Sequence, residues 1–175
     1  MGLFDKLFGK EKNAAPAPVF EPVPGELYAP VTGKYIPQEE LPDPGLALGL
    51  LGPGCGFVPE EETISAPCSG TVSLADQKNE IYITGDDGLH VHLQIGADPF
   101  SAPGDSHAFH RLVKEGQHVR CGQPLMMFSL EKTGGNVSND SICVVLILNG
   151  DDLCSLDLET DTFIQSGARF CRYQF

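Results

Sequence analysis

Gly88 to Asp98 reads G-L-H-V-H-L-Q-I-G-A-D. Leu89, Val91, Leu93 and Ile95 alternate with His90, His92 and Gln94, the two-residue period of a β-strand with one apolar face. The two histidines and the glutamine therefore share the other face. Gly85-Asp86-Asp87-Gly88 has the composition of a turn, and Ile81-Tyr82-Ile83-Thr84 before it is again strand-like.

Working outward, Thr71-Val72-Ser73-Leu74 reads as another short strand, and C-V-V-L-I-L from Cys143 to Leu148 as a strand buried by its unbroken apolarity. Ala29-Pro30-Val31-Thr32-Gly33 recurs as Ala66-Pro67-Cys68-Ser69-Gly70, each a proline-started turn before a strand. A helical interruption is expected at His107 to Glu115, where Phe109, Leu112 and Val113 fit helical spacing. Short strands separated by Gly, Pro and Asp predict an all-β chain, a distorted antiparallel sandwich or barrel with short helical turns.

Three regions are expected. Residues 1–12, M-G-L-F-D-K-L-F-G-K-E-K, place Leu3, Phe4, Leu7 and Phe8 on one helical face with lysines interspersed, a pattern suited to weak contact with a membrane surface or to docking on the domain itself. Residues 13–25 are rich in Ala and Pro and read as a semi-rigid linker. Residues 26–175 form the domain.

The chain has 175 residues, about one domain's worth. No run of about 18 apolar residues and no secretory leader pattern is present, so a cytoplasmic location is expected. The formal charge of -13 argues against nucleic acid, and suits either a basic partner or a well-solvated surface. None of the six cysteines (Cys55, Cys68, Cys121, Cys143, Cys154, Cys171) form C-x-x-C, and in that compartment they are expected to be reduced and structural.

There is no phosphate-binding G-x-x-x-x-G-K-S/T loop and no G-x-S-x-G nucleophile turn. His90 and His92 form an H-x-H on one face, which offers two imidazoles to a metal such as zinc. His107, His110 and His118 read as solvated, with His107 and His110 able to share a helix face.

Taken in order, A-P-V-T-G, E-L-P-D-P, G-P-G-C-G-F-V-P, A-P-C-S-G-T-V, G-L-H-V-H-L-Q-I-G-A-D and K-E-G-Q-H-V-R-C-G-Q-P-L resemble the glucose-type IIA proteins of the bacterial phosphoenolpyruvate-dependent sugar phosphotransferase system, over about residues 27–170. The resemblance implies a β-sandwich that takes a phosphoryl group from a histidine-containing phosphocarrier protein and passes it to the IIB domain of a membrane sugar transporter. It places the acceptor histidine at Gln94 and a second, steadying histidine at Asn79. It places partner-docking positions at Leu46, Ala75 and His92, and acidic rim positions at Asp43 and Asp98.

A carboxamide nitrogen is not a nucleophile, because its lone pair is delocalised into the carbonyl. Gln94 therefore cannot carry the phosphoryl group. Three expectations follow: a docking or regulatory module that has lost transfer, a phosphocarrier that uses His92 as a displaced acceptor, or a zinc site at His90 and His92. The H-x-H is also similar to that of lysostaphin-type zinc peptidases, but the early histidine and aspartate of that pattern are missing here.

Overall fold

The structure, a computed structural model, describes residues 18–97, 106–133, 139–159 and 162–175. The amphipathic segment 1–12, the linker up to residue 17 and the rim position Asp98 lie outside the described residues.

The strands in chain order are β1 (Glu26–Tyr28), β2 (Gly33–Pro37), β3 (Gly54–Pro59), β4 (Thr63–Ser65), β5 (Gly70–Leu74), β6 (Glu80–Gly85) and β7 (His90–Ile95). There follow β8 (Phe109–Arg111), β9 (His118–Val119), β10 (Pro124–Phe128), β11 (Cys143–Ile147), β12 (Ser155–Leu158), β13 (Phe163–Ile164) and β14 (Arg169–Gln174). One four-residue helical turn, α1 (Pro44–Ala47), and short 3-10 turns are the helical content of the described residues. Every strand pairing among them is antiparallel.

Eight strands in the order β13-β2-β3-β11-β7-β6-β5-β9 form the large sheet. Two three-stranded sheets, β1-β14-β12 and β4-β10-β8, contribute to the same core. That core takes the odd-numbered face of the quoted strand: Val91, Leu93 and Ile95 pack with Ile81, Ile83, Cys143, Val145, Phe57, Phe128 and Phe170. β7 and β11 lie at the centre of the large sheet and are buried on both faces, as the unbroken apolar run of β11 predicts. On the reverse face Ile36, Leu41, Leu46, Ala97, Ile142, Val144 and Leu146 form a second, smaller cluster.

The helix expected at His107 to Glu115 is not formed. Ser106–Ala108 is a 3-10 turn, and Phe109–Arg111 is a strand whose ladder runs Phe109 to Phe128, His110 to Met127 and Arg111 to Met126. Of the three apolar residues at helical spacing only Phe109 lies in the strand, and pairing with the partner strand overrides the spacing. His107 and His110 therefore share no helix face. The glycine-bounded element Gly116 to Leu125 divides between sheets, with β9 pairing β5 and β10 pairing β4 and β8.

The second half of the proline-rich stretch lies on the domain. Phe20 meets Tyr28 edge-on with ring centroids 4.8 Å apart, and its backbone N–H donates to Cys121. Five of the cysteines are buried, and burial pushes the thiols of Cys121, Cys143 and Cys171 up to about 12, where thiolate chemistry is suppressed. Cys154 is exposed.

Gly54 and Gly56 on β3 let their neighbours close in: Leu146 and the Val145 carbonyl pack over Gly54, and Leu41, Ile142 and Ile36 over Gly56. A Cβ at Gly54 would fall 2.0 Å from the carbonyl oxygen of Val145 and 3.0 Å from the Cα of Leu146. Backbone cannot yield to such a contact without loss of pairing. Gly54→Ala is expected to destabilise the fold by about 3 kcal/mol, read as a lower urea midpoint at unchanged slope.

Candidate functional site

Cross-strand register builds the site. Val144 of β11, Gln94 of β7 and Glu80 of β6 stand opposite one another in a row across the sheet. The next row on the same face is Leu146, His92 and Tyr82, and His90 and Thr84 form a third. The reverse face of the large sheet thus carries every polar side chain singled out in the quoted strand, flanked on one side by the small apolar cluster.

Gln94 is 2% exposed, and its Nε2 donates to the carbonyl of Gly96 at 2.7 Å. Asn79 is 3% exposed, and its Nδ2 donates to the carbonyl of Ile95 at 2.9 Å. The backbone of Asn79 joins the same ladder, accepting from the N–H of Ile95 at 3.0 Å. Asn79 and Gln94 are therefore tied to adjoining backbone, each through its amide nitrogen.

His92 is 4% exposed and stacks on Tyr82, ring centroids 4.5 Å apart and planes within 9°. Its Nε2 lies 3.2 Å from Glu80 Oε2, which also accepts from the Tyr82 hydroxyl at 3.1 Å. Burial holds the imidazole below the usual histidine range, and the Glu80 carboxylate opposes that shift without overcoming it. A histidine that must stay neutral to remain buried stabilises the fold fully above about pH 6.5, its unfolded value. The contribution is lost as pH falls through the lowered folded value. His92→Phe keeps a flat ring on Tyr82 but takes up no proton. Its unfolding free energy should therefore fall less steeply between pH 7 and pH 5, by at most about 1.4 kcal/mol per pH unit, in urea melts at both pH values.

The Arg111 guanidinium, on β8, supports the site from outside. It donates to the carbonyls of Ala75 at 2.6 Å, Gln77, and Glu80 at 3.1 Å. The three carbonyls converge on one guanidinium nitrogen, Nη2, which shares its two N–H groups among them and fixes the segment that ends in Asn79 and Glu80.

The expected docking positions are placed as follows. Leu46 is buried in the small cluster, and Ala75 is half-buried on the segment gripped by Arg111. Asp43 Oδ1 accepts from the backbone N–H of Leu46 at 2.8 Å, capping α1 ahead of Pro44. Gln38 then pins the following loop, donating to the carbonyls of Leu46 at 3.0 Å and Gly52 at 2.8 Å and accepting from the N–H of Gly54 at 3.2 Å.

That loop presents Leu48, 77% exposed, Leu50, 74% exposed, and Leu51 to solvent. Leu148, also exposed, lies next to Gly52. Such a patch, held by a capped turn and a half-buried glutamine side chain, has the composition typical of interaction surfaces. Sequence reasoning missed these leucines, together with Glu80, Tyr82 and Arg111. The signal for the leucines was three apolar side chains in a glycine-bounded loop too short to bury them.

His90 is exposed on the same face as His92, and its backbone N–H is held by Asn149 Oδ1 at 2.8 Å. Among the described residues no group of three or more His, Cys, Asp or Glu side chains is placed to hold a metal ion. No helix among them is long and apolar enough to cross a membrane.

Comparison with known proteins gives a consistent picture. Residues 25–153 match the family described as phosphoenolpyruvate-dependent sugar phosphotransferase system, EIIA 1. The chain is 32% identical over 166 residues to a glucose-specific EIIA component of the phosphotransferase system from Staphylococcus aureus, covering 94% of each chain. It is 32% identical over 158 residues to the protein so named from Staphylococcus epidermidis, covering 90% of this chain and 89% of that one. The fold matches the glucose permease IIA from Mycoplasma capricolum with a TM-score of 0.71 at 24% identity, over 83% of this chain and 93% of the other.

Proposed function

Because the chain belongs to the EIIA 1 family of the phosphoenolpyruvate-dependent sugar phosphotransferase system, we propose that it serves that system as a IIA component that docks partners without relaying phosphate. Members of this family work with a phosphocarrier protein and with the membrane components of a sugar transporter. The partners proposed here are the histidine-containing phosphocarrier and a IIB domain. Glucose is the sugar named for the relatives. A cytoplasmic setting, with residues 1–12 touching the inner membrane face and 13–25 linking them to the domain, completes the reading.

The observation that carries it is Gln94. It lies buried at the centre of the site face with its amide nitrogen donating to Gly96. Phosphoryl transfer between proteins needs a nucleophile in line with the incoming phosphorus, and an amide offers none. Leu48, Leu50 and Leu51 meanwhile provide docking surface beside the small apolar cluster.

The test is intact mass at neutral pH after incubation with phosphoenolpyruvate, enzyme I and the phosphocarrier from the same genome. No added phosphoryl group, with the carrier phosphorylated in the same tube and binding to this protein, is the expected result. A gain of one acid-labile phosphoryl group would overturn it and support the second reading, in which His92 is the acceptor. His92 is nucleophilic in being neutral, but its burial, its stacking on Tyr82 and its contact with Glu80 weigh against in-line attack. A zinc site at His90 and His92 is the third reading; zinc uptake lost in the double alanine variant would support it.

A further inference from the structure

The exposed leucines lie between two acidic turns. On one side the 3-10 turn Gln38–Glu40 puts Glu39 and Glu40 in solvent, and Gln38 ties it to the loop through the carbonyls of Leu46 and Gly52. On the other side the 3-10 turn Gly150–Asp152 exposes Asp151 and Asp152. It packs on Pro53, whose ring atoms lie 2.6 Å from where a Cβ of Gly150 would stand. No lysine or arginine occurs between Lys34 and Lys78 or between Lys132 and Arg169. The loop and both turns therefore carry acid and no cationic side chain of their own.

A complementary cover for Leu48, Leu50, Leu51 and Leu148 is apolar, with positive charge around it. This chain contains such a stretch. Residues 1–12 bring Leu3, Phe4, Leu7 and Phe8 to one helical face, with Lys6, Lys10 and Lys12 interspersed. A helix this short is marginal in water and is stabilised by an apolar surface to lie on.

The stretch joins the domain at the same end of the large sheet as the leucine loop. The carbonyl oxygen of Pro18 lies against Gly122, and the N–H of Phe20 donates to the carbonyl of Cys121. From there that end can be followed strand by strand. The N–H of Cys121 donates to Ser69 Oγ, that of Asp86 to the Ser69 carbonyl, and that of Gly85 to the Leu89 carbonyl. The N–H of Leu148 donates to the His90 carbonyl, and that of Ile147 to the Pro53 carbonyl. In the strand order, β9 and β3 are separated by β5, β6, β7 and β11, a distance of about 24 Å at the usual strand spacing. Residues 9–17 extended at the polyproline rise cover about 28 Å. The tether is long enough to bring Phe4 and Phe8 to the loop.

We propose that residues 1–12 dock on the leucine patch of their own chain and hold it closed to partners. The proposal rests on the docking reading above and adds its regulation. The apolar face that covers the patch is the one that reading gives to the membrane, so the two contacts exclude each other. On the domain the segment hides the leucines; on a membrane it frees them for a partner at the transporter. A patch covered about three-quarters of the time binds its partner about fourfold more weakly, because apparent affinity scales with the open fraction.

The experiment is methyl-resolved NMR of the full chain at neutral pH, parent against Phe4→Ser/Phe8→Ser, followed by calorimetric titration of each with the unphosphorylated carrier. A phenyl ring lying on a leucine shifts its methyl resonances. The Leu48 and Leu50 signals should therefore move in the variant, while those of Leu112, exposed beyond β8, stay in place. The parent's signals should not change on dilution. The variant should bind the carrier about three- to fivefold more tightly. Vesicles containing phosphatidylglycerol, added to the parent, should carry the Leu48 and Leu50 signals to the variant's positions.

Leu48 and Leu50 signals that stay in place in the variant would overturn the inference and leave the segment to the membrane. Signals that change on dilution would seat the segment on a second copy and overturn docking within one chain. Equal carrier affinity of parent and variant would overturn the closing of the patch, and vesicles without effect would overturn the exclusion. Binding of the carrier to neither protein would overturn the docking reading alone, since the methyl signals test the cover by themselves.

Discussion

The double variant Asn79→His/Gln94→His is expected to gain one phosphoryl group from the phosphoenolpyruvate relay, where the native chain gains none. The two side chains already lie on adjoining backbone, bonded to Ile95 and Gly96. Two imidazoles there would restore a nucleophile and a neighbour able to hold the transferred group. Replacing an amide by an imidazole should raise the transfer rate by more than about a hundredfold, a fall of at least about 3 kcal/mol in the barrier. Gln94→His alone should be slower than the pair, since Asn79 keeps its nitrogen on the Ile95 carbonyl. Adding Glu80→Gln should speed transfer further, by removing the carboxylate opposite position 94. A double variant that remains unphosphorylated while the carrier is charged would show that the partner no longer presents its histidine to this face.

The second large effect is expected at the leucine loop. Leu48→Ser/Leu50→Ser should weaken carrier and IIB binding by about thirtyfold or more, close to 2 kcal/mol, because burial of a leucine side chain at an interface contributes about that much. Both side chains are largely exposed, so the thermal midpoint of the free protein should stay within a few degrees of the parent. Phe175→Ser, which removes an exposed aromatic just beyond β14 in the other layer, is the control and should bind normally. Equal losses in the control and the loop variant would place the docking surface elsewhere. Charge separates the partners further: the chain carries -13, so binding that depends on steering should weaken as salt is raised, whereas the leucine contribution should not.

Much of this protein can be read from local pattern. The alternation from Leu89 to Ile95 specifies which side chains enter the core and which reach the other face. The unbroken apolarity of Cys143 to Leu148 specifies a strand covered on both sides. The order of the proline and glycine turns is enough to identify the family, and the carboxamide at position 94 is enough to question its chemistry. These features are legible because strand period, turn composition and the nucleophilicity of a side chain are properties of a few consecutive residues.

What remained hidden depends on pairing between distant segments. Phe109, Leu112 and Val113 have helical spacing, and only the ladder with Met126, Met127 and Phe128 makes Phe109–Arg111 a strand. Glu80 is an unremarked acid in the sequence until antiparallel register sets it opposite Gln94 and within reach of His92 and Tyr82. Arg111 grips a segment more than thirty residues earlier in the chain. Leu46 and Leu50 are alike in sequence, yet one is buried and the other projects, because the Asp43 cap and Gln38 set the path of the loop between them. The sequence by itself determined most of the strands, the family and the carboxamide at position 94. Only the tertiary structure decided the polarity of the site, because that depends on which atoms the backbone carbonyls of Ile95 and Gly96 claim and which oxygens they leave over.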